Sequence, residues 1–325
     1  MRRFLAAALL LGFVFAGAGA SVFAQSQGDA APREDRLLQV FDRSLDEGML
    51  VARFLKLSLP KDKSGDEKSG DSTILTSPDG KVMLIDGGAP ECAIQVDGYL
   101  QAMGILKLDA VVASHPHIDH IGGLAPILAK YPVDILYMSR VEYPTSVFRG
   151  FMDAARERGT RIVYLEEGSE FSFGERVGVE VFNPSPGIAY YEGYPANSTQ
   201  FINNKSLVMK FTFGESTILF MGDLYTPGEV DLMEKFGPAL RSDVIKVGHH
   251  GSDTSSSKSF VRLVAPRIAV MMHDSLASLS VYKNYRKAGA MAYVSCIDGS
   301  VRVAGDGSGN WTVLTQFDRL SDFLK

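Results

Sequence analysis

Cysteine is scarce: Cys92 and Cys296 are the only two in 325 residues. Neither a disulfide framework nor a cysteine-rich metal cage can organise such a chain. A single bridge between them and two buried thiols are both compatible with the sequence. Histidine is scarce too, with six in all. Past the N-terminus no apolar run is long enough for a membrane-spanning helix. A basic stripe is also missing. Lys and Arg number 33 against 38 Asp and Glu, for a formal charge of −5, and Lys61 and Lys63 are offset by Asp62, Asp66 and Glu67. Proteins that grip long nucleic acids through many phosphates carry such a stripe. Its absence argues against a processive nuclease and leaves a small or local phosphodiester open. The G-x-S-x-G elbow, the P-loop and the dinucleotide glycine pattern do not stand out either.

The N-terminus has the organisation of a targeting segment. Arg2 and Arg3 precede an apolar core from Phe4 to Phe15, too short for a membrane span. Val22-Phe23-Ala24 fits a cleavage site before Gln25, and cleavage after Ala20 is the nearby alternative. Residues 1–24 are therefore expected to be a signal peptide, with a retained anchor as the alternative. Residues 25–48 read as a flexible polar leader, and 49–318 as one domain. Export to a periplasm or the medium is the expected location.

Within that domain, β-like and helical patterns alternate. Strands are expected at Val51–Leu59, Asp109–Ser114, Ile135–Ser139 and Ile162–Leu165, and helices at Pro90–Met103, Leu124–Lys130 and Val147–Arg158. Several β segments follow over Phe171–Phe182. Residues 183–202 form a long connection with Tyr190, Tyr191 and Tyr194, read as a substrate-side flap or a packed surface loop. Later strands are expected at Leu207–Phe213, Ser216–Phe220, Val244–Val247 and Ile268–Met272, with a helix at Pro227–Phe236. Two β-rich halves with helices outside imply an α/β fold, a four-layer αββα sandwich.

Three of the six histidines fall within six residues, in Ser114-His115-Pro116-His117-Ile118-Asp119-His120-Ile121-Gly122-Gly123. Imidazole and carboxylate together suit zinc, iron or manganese. His115 and His117 are two apart, so on extended backbone they point the same way. Asp119 and His120 then lie on a turn able to face the same hollow. Four ligands at that pitch can hold two ions side by side; the bland alternative is a solvated histidine-rich loop.

This segment resembles the H-x-H-x-D-H motif of the metallo-β-lactamase fold superfamily. Further segments, in order, sharpen the likeness: Leu84-Ile85-Asp86-Gly87-Gly88, Asn203-Asn204-Lys205-Ser206-Leu207-Val208, Phe220-Met221-Gly222-Asp223 and Asp243-Val244-Ile245-Lys246-Val247-Gly248-His249-His250-Gly251-Ser252. Together they are similar to the hydrolase domain of ComEC/Rec2-type competence proteins, from about Val51 to Val303. The membrane helices that accompany this domain in full-length ComEC have no counterpart here, so a DNA-uptake pore is not expected.

The resemblance implies the metallo-β-lactamase type of αββα sandwich and two divalent ions, Zn or Mn. His115 and His117 would bind the first ion, Asp119 and His120 the second, and Asp223 would bridge them with its two oxygens. His250 would complete the second set, while His249 would meet a substrate oxygen; the reverse assignment stays open. Asp119 would also orient the attacking water. Three departures stand out. No histidine lies between His120 and His249, so Asn203 or Asn204 occupies the place of a third imidazole. The late N-x-Y-x-H-P segment is missing, leaving His273 as a stand-in or a residue without a role. A charged loop through Asp71 replaces a short G-Q-G-D-like turn. Lys205 and Ser252 are candidate substrate contacts. The implied function is an exported binuclear phosphodiesterase acting on DNA or another phosphodiester. The alternatives are a lactone or β-lactam hydrolase and a non-catalytic binding protein.

Overall fold

The structure is a computed structural model that describes residues 33–60, 68–186 and 197–318. The expected signal peptide, the charged loop at 61–67 and the tyrosines at 190, 191 and 194 lie outside the described residues. In chain order the strands are β1 (Leu50–Phe54), β2 (Thr73–Thr76), β3 (Val82–Ile85), β4 (Leu108–Ala113), β5 (Val133–Met138), β6 (Arg161–Tyr164), β7 (Glu170–Phe173), β8 (Val177–Asn183), β9 (Val208–Phe213), β10 (Ser216–Phe220), β11 (Val244–Lys246), β12 (Ile268–Met271), β13 (Met291–Val294), β14 (Val301–Gly305) and β15 (Trp311–Thr315). The helices are α1 (Arg33–Phe41), α2 (Ala93–Ala102), α3 (Ile118–Ile121), α4 (Leu124–Lys130), α5 (Ser146–Glu157), α6 (Thr199–Asn204), α7 (Thr226–Phe236), α8 (Lys258–Val264), α9 (Leu279–Lys287) and α10 (Ser295–Asp298).

Two sheets result. The first runs β15-β14-β1-β2-β3-β4-β5-β6 and the second β13-β12-β11-β10-β9-β8-β7. Side-chain alternation decides which core each residue enters. In β4, Ala110 and Val112 pack between the sheets, while Val111 and Ala113 pack under α2, α4 and α5. In β10, Ile218 and Phe220 face the other sheet, and Leu219 faces α7, α8 and α9. Strands buried on both faces read as continuous apolar runs. The result is the expected four-layer αββα sandwich. Cys92 sits in the outer core of the first sheet and Cys296 against that of the second; both are free thiols.

Parallel pairing fixes where the site lies. β3 pairs β4 in parallel, and β10 pairs β11 in parallel. The carboxyl ends of these four strands carry Asp86, His115 to His120, Asp223 and His249-His250 to one edge of the sandwich. The loop ends of an α/β sheet are where ligands bind.

Some elements correct the sequence reading. Within the polar stretch read as a leader, α1 forms at Arg33–Phe41, and Val40 and Phe41 are buried. Arg53 explains part of this order. Its guanidinium, buried in β1, donates to Val40 O, Asp42 O and both oxygens of Asp46. Arg302 of β14 donates to the same Asp46 carboxylate at 2.9 Å. The polar stretch thus carries a counter-charge that two buried arginines need. β1 ends at Phe54, shorter than expected, and α6, α9 and β15 are elements the sequence pattern did not reveal.

Asp46→Ala leaves Arg53 and Arg302 buried without their carboxylate. It is expected to lower stability by about 3–5 kcal/mol, the usual cost of orphaning a buried charge. Urea unfolding followed by circular dichroism checks this; an unshifted midpoint would mean that solvent takes over the role of Asp46.

Candidate metal centre

The histidine-rich segment begins where β4 ends. Asp86, just past β3, holds it: Asp86 Oδ1 accepts from Ser114 N at 2.8 Å, and Asp86 Oδ2 from Ser114 Oγ at 2.7 Å. His117 caps the single turn of α3 with extended backbone, so Asp119 and His120 leave on the helical side. The two-residue pitch and the turn therefore bring all four side chains to one hollow.

Hydrogen bonds assign one tautomer to three of the imidazoles. His120 Nδ1 donates to Asp86 Oδ2 at 2.8 Å, and His250 Nδ1 to Asp71 Oδ1 at 2.9 Å. His115 Nδ1 donates to Ser114 Oγ at 3.1 Å, since that hydroxyl is itself committed to Asp86. Each of the three thus turns Nε2 inward, and that atom is the acceptor when the ring is neutral. Carboxylate–imidazole pairs of this kind orient metal-binding histidines and raise their basicity.

The inward atoms converge on one oxygen. Asp223 Oδ2 lies 3.3 Å from His120 Nε2, 3.2 Å from His250 Nε2 and 3.9 Å from His115 Nε2. Asp119 Oδ2 lies 3.2 Å from His250 Nε2. His115 Nε2 and His117 Nδ1 stand 3.1 Å apart. Asp223 Oδ1 points elsewhere, to Lys246 Nζ at 3.6 Å. Oδ2 is thus the oxygen that faces the imidazoles, and Oδ1 the one that faces Lys246.

The donor set fits cations. His120 Nε2 and His250 Nε2 are buried without a hydrogen bond, as is Asp223 Oδ1. Buried polar atoms left this way are costly unless something satisfies them. The field has the right sign. Burial works against charge on His120, but Asp223, Asp86 and Asp119 outweigh it and push its pKa up to about 10. Burial opposes charge on His250 too, and Asp223 and Asp71 overcome it. Asp223 stays well below the usual carboxylate range against its own burial, held there by His250 and His120. His115 and His117 are pushed down, chiefly by burial, into the neutral form that ligates. A focus that draws protons this strongly also draws metal ions.

Asn203 and Asn204 separate cleanly. Both are buried at the end of α6, but the Asn203 side chain lies against His117. The Asn204 side chain points toward Gly228 of α7. Of the two, Asn203 is thus the one placed beside His117. Lys205 does not come to the centre: the charges acting on it are Lys235, Asp231 and Glu167. Ser252 stands behind His249, its Oγ accepting from Thr254 Oγ1 at 3.2 Å. His273 flanks His250, ring centroids 5.9 Å apart.

His249 and His250 have φ of +45° and +55°. Two consecutive left-handed residues that are not glycine cost about 1 kcal/mol or more each and concentrate at functional sites. The twist sends the rings different ways. His250 is buried; His249 lies at the mouth, with Nδ1 hydrogen-bonded to Thr254 Oγ1 and Nε2 3.9 Å from Asp223 Oδ2.

The family model described as Metallo-beta-lactamase superfamily matches residues 65–193. The match covers about two-fifths of the chain, and the two-sheet sandwich is the fold it implies. The chain is 31% identical over 173 residues to ComE operon protein 3 of Bacillus subtilis, covering 53% of this chain and 21% of that one. Competence protein ComA of Neisseria gonorrhoeae is 30% identical over 202 residues, 61% of this chain and 25% of that one. The chain thus spans a quarter or less of the length of these two curated relatives. Among solved structures, Igni18, a metallo hydrolase from Ignicoccus hospitalis, superposes with a TM-score of 0.46 at 14% identity, covering 81% of this chain and 98% of that one.

Two residues of the centre escaped the sequence reading. Asp71, just before β2, orients His250 and forms an ion pair with Lys246 Nζ. Burial pushes against its ionisation, but Lys246 and His250 bring its pKa down to about 2. Lys246, the last residue of β11, also donates to Gly222 O at 2.9 Å. The signal for Asp71 was available, since Gly70-Asp71 matches the end of the G-Q-G-D-like turn. Lys246 looks like an ordinary interruption in an apolar strand.

Asp86→Asn keeps the shape behind His120 and removes the charge. Metal affinity is expected to fall about 10–100-fold, as when a carboxylate behind a ligand is lost. Chelator competition on the metal-free protein checks this; unchanged affinity would leave Asp86 a purely structural partner of Ser114.

Proposed function

We propose that this protein is an exported binuclear metal-dependent phosphodiesterase. One observation carries the reading: two donor sets face each other across Asp223 Oδ2. His115, His117 and Asn203 would hold one ion; Asp119, His120 and His250 would hold the other. Two close divalent ions, Zn or Mn, would supply Lewis acidity and bring the pKa of water to about 7. The asparagine oxygen makes the first set harder and suits manganese as well as zinc.

The chain's own residues do the rest. Asp119 Oδ2 faces the mouth beside His250 and can hold the attacking water in line. His249 Nε2 is the acceptor of the ring, because Nδ1 is committed to Thr254. It can take a proton from the water and return it to the leaving oxygen. The phosphodiester class is supported by the D-V-I-K-V-G-H-H-G-S segment and by relatives named for competence. Asparagine in place of a third imidazole counts against a lactonase or β-lactamase.

Purified metal-loaded protein would be assayed on bis-p-nitrophenyl phosphate, single-stranded DNA, a lactone and a β-lactam. Turnover of a phosphodiester is the expected result; turnover of only the lactone or the β-lactam would reverse the reading. His250→Ala is expected to lose metal and activity together. His249→Ala is expected to keep metal and slow turnover about a hundredfold, as when a proton-transfer group is lost. Elemental analysis beside kinetics separates the two, and the opposite pattern would exchange their roles.

Export rests on residues 1–24. Among the described residues no helix is long and apolar enough to cross a membrane. The mature chain is expected to begin at Gln25 or Ser21. Terminal sequencing of protein recovered outside the cytoplasm checks this, and an intact Met1 there would indicate a retained anchor.

A further inference from the structure

We infer that Lys68 binds a non-bridging phosphoryl oxygen of the substrate at the mouth of the centre. The inference rests on the phosphodiester reading and deepens it. Lys68 Nζ lies 3.5 Å from His249 Nε2. That nitrogen in turn lies 3.9 Å from Asp223 Oδ2, where both donor sets converge. An anion seated on the centre therefore meets the ammonium and the imidazole together.

The backbone that carries Lys68 is clamped. Ser69, the next residue, donates from N and Oγ to the two oxygens of Asp274, at 2.8 and 2.7 Å. Ser69 O accepts from Ala89 N at 2.9 Å. Gly70 has φ +77°, and a Cβ there would lie 1.6 Å from Asp119 O, so only glycine fits. Asp71 N donates to that same Asp119 oxygen at 3.1 Å. Residues 69–71 are thus tied to the segment after β12, to the loop after β3 and to α3. Lys68 is thus anchored at the mouth by the fixed segment that follows it, as a binding group requires.

Charge points the same way. Lys246, the other lysine at the centre, is committed to Asp71 and Gly222 O. Among the described residues Lys68 forms no ion pair with a carboxylate; its polar neighbour is the His249 ring. Its charge is therefore available to a ligand, in a chain whose overall charge is negative. A hydrogen bond from an ammonium to an anionic oxygen is about twice as strong as one between neutral groups. Lys68 accordingly favours an anionic phosphodiester over a neutral lactone.

The test uses full-length metal-loaded protein with Lys68→Gln and Lys68→Arg. Inorganic phosphate binding is measured by calorimetry, KM and kcat on bis-p-nitrophenyl phosphate by absorbance, and metal content by elemental analysis. Lys68→Gln is expected to weaken phosphate binding and raise KM about tenfold or more, the loss expected for one charge-assisted hydrogen bond. Metal content is expected to stay unchanged, and Lys68→Arg to recover most of the loss. Equal phosphate binding by wild type and Lys68→Gln would overturn the assignment. So would loss of metal in Lys68→Gln, which would make the residue part of the scaffold, or no phosphate binding by wild type. Phosphate binding that depends on Lys68 without any diester turnover would keep the anion subsite and reject the proposed reaction.

Discussion

Everything at the centre depends on one buried carboxylate facing imidazoles from both sheets. Asp223 comes from the second sheet; His115 and His120 come from the first. A carboxylate in that position cannot be left to water, and its ionised form is tolerable only because cationic groups face both of its oxygens. Lys246 takes Oδ1, and the histidines take Oδ2. The sandwich therefore has to bring the carboxyl ends of β3, β4, β10 and β11 to one edge, and the burial of its three apolar layers is what drives them there.

The supporting shell has a repeated logic. Asp86 stands behind His120 as Asp71 stands behind His250, one carboxylate for each of these two rings. The two are not equivalent. Asp71 also shares its charge with Lys246, so the second-sheet half of the centre carries a fixed cation that the first-sheet half lacks. Removing charge behind His250 would therefore disturb a lysine as well as a ligand.

The sequence discloses what is local. His115 to His120 can be read as a ligand group because its spacing alone sets direction, first at a two-residue pitch and then on a turn. Asp223 and His250 follow because each ends a recognisable apolar strand. Asp71 and Lys246 are harder, because their meaning is mutual: 71 and 246 become partners only once β2 and β11 lie at the same edge. α6 is too short to show a period, and its cap, Ser198, falls within a connection that reads as irregular. The ordered leader escapes for the same reason as Asp71. Its stability comes from Arg53 and Arg302, which lie far along the chain.

That last contact bears on when the molecule can become whole. β1 lies inside its sheet only because β14 pairs with it, and Arg302 reaches the Asp46 carboxylate 256 residues away along the chain. A ribosome delivers β1 long before β14. Until then β1 is an open strand edge, and Arg53 has Asp46 to itself. Closure of the first sheet is consequently a late, long-range event in the life of each chain, of the kind that slows folding. A nascent chain stays without its finished first layer until β14 has been made.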